Sequence, residues 1–185
     1  SKFFDSIDHS ILITFIQGKI KDKDTLWLIE KILDSFNKNE DKGLPLGNVT
    51  SQLFGNIYLH QLDFFIKQKL KIRHYVRYCD DFVILSSNNE FLEKCIVEIK
   101  IFLKQKLNLI LHPKKVSIRK NIQGVDFLGY VLLPHYSVLR TSTKNRIFRK
   151  FKGELSINQK MSYFGVLAHC KGYKIKQNFC YNLTK

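Results

Sequence analysis

The stretch His74-Tyr75-Val76-Arg77-Tyr78-Cys79-Asp80-Asp81-Phe82-Val83-Ile84-Leu85 decides how the chain is read. Two short β-rich runs, His74 to Cys79 and Phe82 to Leu85, are separated only by Asp80 and Asp81. Strands joined so tightly form a hairpin, which places the acidic pair at its bend. Adjacent carboxylates repel, and both stay ionised only where cations or water stabilise them. Strand side chains alternate between faces, but a turn can present both groups to one site. Hard oxygens gathered in this way suit Mg²⁺, which keeps waters and also takes substrate phosphates. An Asp-Asp turn in solvent is also a common and inert feature. Here the apolar flanks put the turn at the edge of a core.

Upstream, the periodicity predicts a helix over residues 9–20 with Ile11, Leu12, Phe15 and Ile16 on one face. Asp24 is the expected cap of a second helix burying Leu26, Ile29, Ile32, Leu33 and Phe36. Gly43, Pro45 and Gly47 mark Asn37 to Asn48 as a loop. A long amphipathic helix is expected from about Thr50 to Leu70, with the stripe Leu53, Phe54, Ile57, Tyr58, Leu62, Phe65 and Ile66. Downstream, Ser87 and Glu90 form a capping box for a helix to about Leu107. Short strands are expected near Leu109–Leu111, Val116–Ile118 and Val125–Leu132, the last ended by Pro134. From about Thr141 the chain turns basic and helical, with Lys144, Arg146, Arg149, Lys150 and Lys152. A final helix holds Met161, Phe164 and Leu167. This order implies an α+β layer, an antiparallel sheet with helices on one face. The basic tail forms a separate small unit, with the boundary near Pro134–Thr141, so that the expected domains are 1–136 and 137–185.

The chain has 185 residues, a length suited to one domain or a little more, and 44% are hydrophobic, enough for a core. No apolar run reaches the eighteen residues that a membrane-spanning helix needs, and no secretory pattern opens the chain. Ser1 leads directly into an apolar run without an initiator Met, as expected of a cut through a longer protein. The net charge is +15. That value fits a lysine-rich soluble surface, and it equally fits a polyanionic partner whose phosphates exchange counterions for Lys and Arg. The four cysteines, at 79, 95, 170 and 180, form no Cys-x-x-Cys pair. They read as reduced intracellular thiols, with a cytoplasmic location, rather than as a disulfide framework or zinc site.

Tyr78-Cys79-Asp80-Asp81 resembles the Tyr-x-Asp-Asp motif of reverse transcriptases, and four further blocks agree in order. Lys2-Phe3-Phe4-Asp5-Ser6-Ile7-Asp8-His9 resembles the end of the first catalytic motif. Gly43-Leu44-Pro45-Leu46-Gly47-Asn48-Val49-Thr50-Ser51-Gln52, running into Asn56-Ile57-Tyr58-Leu59, resembles the template- and nucleotide-binding motif. Leu109 through Ile118, with His112-Pro113-Lys114-Lys115, resembles the lysine motif. Gly124-Val125-Asp126-Phe127-Leu128-Gly129-Tyr130 resembles the primer grip. The resemblance implies a bacterial RNA-directed DNA polymerase. Residues 1–136 would be a ferredoxin-like palm and 137–185 the start of a helical thumb, with the fingers upstream. It also implies two Mg²⁺ ions, with Mn²⁺ able to replace them, held by Asp80 and Asp81. Phe4 would be the steric gate against ribonucleotides, with Leu46, Gly47 and Gln52 at the nucleotide. Lys115 would act near the leaving pyrophosphate, Lys114 being a surface charge. Phe127, Leu128 and Gly129 would support the primer end. Lys144, Arg146, Arg149 and Lys150 would follow the duplex backbone, a solvated basic face being the alternative. The family's first catalytic Asp falls just upstream of Ser1, so little activity is expected of this stretch alone. Asp5 and Asp8 read as helix caps instead, Cys79 as a packing residue, and His9, His60 and His112 as structural.

Leu46 replaces the Gln of intron-encoded and retroviral-like enzymes, and Ser51-Gln52 replaces their Ser-Pro. This block resembles the reverse transcriptases of diversity-generating retroelements. That subtype implies a template RNA, a primer and growing cDNA, dNTPs and a small basic accessory protein as partners, with no membrane. Two alternatives stand beside it: a group II intron or retron-type enzyme, and a non-catalytic RNA-binding or defence relative with the same fold. A basic α+β domain with no nucleic-acid role would need five ordered motifs by coincidence.

Overall fold

The computed structural model describes residues 3–35, 41–45, 47–150, 156–173 and 177. The chain is α+β and divides into two compact units, Ser1–Ser117 and Ile118–Lys185.

In the first unit, α1 (His9–Gln17) starts where the Asp8 carboxylate accepts from the Ile11 amide. Asp8 is thus the expected cap, whereas Asp5 sits inside the short 3-10 turn Phe4–Ser6. Helix α2 (Lys23–Asp34) is capped by Asp22, whose extended backbone aims its carboxylate at the Thr25 amide. Asp24 lies in the first turn, too late to cap. Helix α3 (Val49–Phe64) widens at its end into a π-helical turn, Phe65–Lys69. The single helix expected to Leu70 therefore changes pitch where Phe65 stacks on Phe102, 4.2 Å between ring centroids. Strands β1 (His74–Tyr78) and β2 (Asp81–Leu85) form an antiparallel hairpin. Helix α4 (Asn89–Leu107) is capped by Asn88 rather than by Ser87. It buries Cys95, Ile99, Leu103 and Leu107, one every fourth residue, and ends at Asn108 in the left-handed conformation.

Tyr58 stands at the centre of this core with no exposed surface. Its hydroxyl donates to the Leu107 carbonyl at 2.7 Å and accepts from the Asp8 amide at 3.4 Å. One side chain of α3 thereby ties the end of α4 to the start of α1. The stretches expected as strands at 109–111 and 116–118 are not strands. The Leu109 amide turns back to the Leu103 carbonyl, and Pro113–Lys115 forms a 3-10 turn, so neither stretch has a ladder partner.

The second unit opens with a three-stranded meander, β3 (Val125–Phe127), β4 (Tyr130–Leu132) and β5 (Ser137–Leu139). The expected single strand 125–132 is in fact two strands. Leu128 and Gly129 both take positive φ, 54° and 87°, the conformation that closes a two-residue hairpin. Helices α5 (Thr141–Lys150) and α6 (Ile157–Ala168) follow. The Tyr130 hydroxyl donates to the Val166 carbonyl, and the Ser137 hydroxyl donates to the His169 carbonyl. These bonds join the meander to α6, so contacts divide the chain at 117/118, upstream of the composition shift at 134–141.

Tyr58→Phe in the complete protein should leave the Leu107 carbonyl without its donor. The expected loss is about 1–3 kcal/mol in urea unfolding, and an unchanged midpoint would refute the role given to this hydroxyl.

Candidate metal and nucleotide site

The bend of the β1–β2 hairpin consists of Cys79 and Asp80, while Asp81 opens β2 opposite Tyr78. The acidic pair is therefore shifted by one residue from the expected bend. Cys79 takes the left-handed corner at φ 52°, unusual for a residue with a Cβ. Asp80 is half-buried and Asp81 exposed. On β1 the half-buried positions are Tyr75 and Arg77, and the exposed ones include Val76 and Tyr78. An arginine faces inward where an apolar side chain would be the default.

Asp63 on α3 explains the arginine. Arg77 Nε donates to Asp63 Oδ1 at 2.7 Å and Nη2 to Oδ2 at 2.5 Å, a bidentate pair. The Tyr75 hydroxyl donates to the same Oδ1 at 2.6 Å. Burial disfavours the Asp63 charge, but the donors from Arg77 and Tyr75 and the guanidinium charge outweigh it. The carboxyl is held below the usual carboxylate range. Arg77 Nη1 donates onward to the Cys79 carbonyl at 2.9 Å and to Asn56 Oδ1 at 3.2 Å. Asn56 and Asp63 are seven residues apart, two turns along one face of α3.

Gly55, next to Asn56, seats the aromatic pair at the start of the chain. A Cβ there would stand 3.2 Å from the Phe4 ring and 3.3 Å from the Phe3 ring. Phe4 and the acidic turn thus both anchor on the same stretch of α3. Residues 4–9 are laced to 41–44: the Leu44 amide donates to the Phe4 carbonyl, Gly43 to Ile7, and His9 to Asp41. His9 is buried with its Nε2 2.6 Å from the Gly43 carbonyl. The Ser51 hydroxyl donates to the Pro45 carbonyl. Gly47 is exposed at φ 99°, and Gln52 is exposed one turn before Asn56. Leu46 lies outside the described residues.

Lys115 is exposed at the end of its own 3-10 turn. Phe127, Leu128 and Gly129 belong to the second unit, where Phe127 ends β3, Leu128 and Gly129 form the β3–β4 turn, and Leu128 is exposed at its tip. Lys144, Arg146, Arg149 and Lys150 are exposed on α5, which buries Ile147. Cys79 and Cys95 are free thiols. Among the described residues no helix is long and apolar enough to cross a membrane.

No three His, Cys, Asp or Glu side chains gather among the described residues. The turn offers two carboxylates, Asp80 and Asp81. Mg²⁺ often takes one or two protein carboxylates and fills its octahedron with waters and phosphates, so this donor set fits such an ion in part. Sequence reading assigned no site role to Gly55, Asp63, Tyr75 or Arg77, and pointed to Asn56 only as part of the template- and nucleotide-binding block. The available signal was an arginine in phase with Tyr75 on a strand that otherwise reads as apolar.

Residues 1–132 match the family model described as reverse transcriptase (RNA-dependent DNA polymerase). The group II intron-encoded protein LtrA of Lactococcus lactis subsp. cremoris is 28% identical over 69% of the chain. A COX1/OXI3 intron 2 protein of Saccharomyces cerevisiae is 26% identical over 70% of it. Protein YkfC of Escherichia coli is 24% identical over 72%. The chain spans 33%, 22% and 45% of these relatives, respectively. With the family model covering 1–132, the chain belongs to the reverse transcriptase family.

Proposed function

We propose that this chain supplies the palm, residues 1–136, and the start of the thumb, residues 137–185, of an enzyme that copies a template RNA into cDNA. The observation that carries the reading is the convergence on α3. The Asp80–Asp81 turn reaches it through Arg77, and the Phe4 ring rests on the adjacent Gly55. A metal-binding edge and a sugar-contacting ring belong side by side in a nucleotidyl-transfer site.

Mg²⁺ ions bound at Asp80 and Asp81, or Mn²⁺ in their place, would supply Lewis acidity for attack by the primer 3′-hydroxyl on the α-phosphorus and for departure of pyrophosphate. Asp80 and Asp81 hold negative charge at the edge of the hairpin. Phe4 lies where a 2′-hydroxyl would collide with its ring. Leu46, Gly47 and Gln52 would contact the incoming nucleotide. Lys115 places a cation or proton donor near the pyrophosphate. Phe127, Leu128 and Gly129 support the primer end. Lys144, Arg146, Arg149 and Lys150 follow the duplex by charge and shape rather than sequence; the net charge of +15 supports that partner.

Within the family we assign the chain to the diversity-generating type, with a template RNA and a basic accessory protein as partners. Leu46 and Ser51-Gln52 support this reading. Leu46 lacks a group that can hydrogen-bond near the incoming nucleotide, which would relax control of pairing geometry. The relatives favour a second reading, a group II intron-type enzyme, since LtrA carries that description.

In the complete protein, Asp80→Asn or Asp81→Asn should reduce primed, Mg²⁺-dependent dNTP incorporation to background. Phe4→Ala should retain incorporation and admit ribonucleotides. Wild-type rates in either Asp variant would sink the polymerase reading. Leu46→Gln should lower misincorporation opposite template adenines in a sequenced cDNA pool. An unchanged error spectrum would sink the diversity-generating assignment and leave the polymerase standing.

A further inference from the structure

We propose that Arg77 and Asp63 form a latch that holds the Asp80–Asp81 turn in its metal-binding shape, and that Asp63 also keeps the Arg77 cation from competing with the metal. The proposal rests on the polymerase reading for its purpose, and on geometry for its content.

The geometry has three parts. First, the turn needs holding. Cys79 carries a Cβ in the left-handed region, a conformation that surrounding structure must enforce, and two neighbouring carboxylates push the bend apart. Second, Arg77 acts on the relevant peptide. Nη1 donates to the Cys79 carbonyl at 2.9 Å. That oxygen and the Asp80 amide lie in one rigid peptide plane, so a donor on the oxygen fixes the plane from which the Asp80 side chain springs. Third, the guanidinium is itself fixed. Its Nε/Nη2 edge is bidentate on Asp63, Tyr75 braces that carboxylate, and Nη1 also reaches Asn56. The Arg77 side chain is only 11% exposed. Asp63 and Asn56 sit two turns apart on α3, so the turn is referenced to a helix rather than to a loop.

The charge argument is separate. A guanidinium three residues before a pair of metal-binding carboxylates is a ready partner for them and a rival to a divalent cation. Asp63 engages the bidentate edge of the fork and supplies a compensating negative charge. Arg77 then reaches the turn as a donor to a carbonyl rather than as a counterion to a carboxylate. A lysine could not take both roles, since its single ammonium cannot form the planar fork and reach Cys79 at once.

The test uses the complete enzyme with Arg77→Lys, Asp63→Asn and Tyr75→Phe. Metal-free hydrogen exchange by mass spectrometry reads the peptide across Cys79–Asp81, with α4 peptides as internal reference. Mn²⁺ affinity is read by electron paramagnetic resonance, and single-turnover incorporation is read on a primed RNA. In Arg77→Lys, turn exchange should accelerate about tenfold with α4 unchanged, and the maximal rate should fall about ten- to a hundredfold at unchanged KM for dNTP. In Asp63→Asn, Mn²⁺ binding should weaken about tenfold or more. Tyr75→Phe removes one donor to Asp63 and keeps the ring, so it should move exchange and affinity in the same directions by a smaller factor. If the first two variants fail to fold, Tyr75→Phe decides. Wild-type exchange and Mn²⁺ affinity in the folded variants would overturn the latch. A wild-type enzyme that incorporates no dNTP while the exchange and Mn²⁺ readouts shift as expected would overturn the polymerase reading and leave the latch as the holder of a metal-binding turn.

Discussion

A two-stranded hairpin is marginal in water by itself, and the hairpin that carries the acidic pair has two strands. Its order depends on what the inner face finds to pack against. Tyr75, Phe82 and Ile84 contact the main core, and Arg77 makes a bidentate ion pair with Asp63. Hydrophobic contact is nearly indifferent to direction; the paired fork is not. Two parallel charge-assisted bonds set distance and orientation together. Removing one partner from such a pair would strand the other charge in a largely desolvated place, at a cost of roughly 3 kcal/mol.

Helix α3 is the reference for the rest of the site. Near its N-terminus, Ser51 holds the Pro45 carbonyl. One turn on, Gly55 gives up a side chain so that Phe3 and Phe4 can lie against the helix backbone. Asn56 and Asp63 then receive Arg77, and Tyr58 on another face joins α1 and α4 through two backbone groups. The apolar stripe anchors the helix in the core, and its polar positions register three distant segments against one another. A rigid element that carries several anchors transmits less error than loops joined in series and keeps the groups it holds in fixed relation.

The second unit follows a different economy. Its small core rests on Leu139, Ile147 and Leu167, and hydrogen bonds from Tyr130 and Ser137 bind the meander to the end of α6. Arg140 pairs with Asp126 on β3. The basic residues of α5 stay exposed because the helix needs only its Ile147 stripe for burial. Charge is left on the surface, available to the polyanion proposed as partner.

The α+β class, the hairpin, and the helices α1, α3 and α4 could be read from periodicity, because burying one face imposes a regular spacing on the chain. The caps were less legible. Asp22 and Asn88 do the work assigned to Asp24 and Ser87, since capping depends on one backbone conformation that neighbouring polar residues compete to adopt. Strands at 109–111 and 116–118 were misread because a strand exists only where a partner lies alongside. The split of 125–132 turned on two positive φ values, one of them at a leucine. By itself, then, the sequence determined which residues are apolar, at what period, and where two aspartates stand together. Tertiary structure alone decided that Arg77 would meet Asp63 and that Phe4 would lie on Gly55. Those contacts join residues 14 and 51 positions apart, and side-chain periodicity carries no information about which distant surfaces come into register.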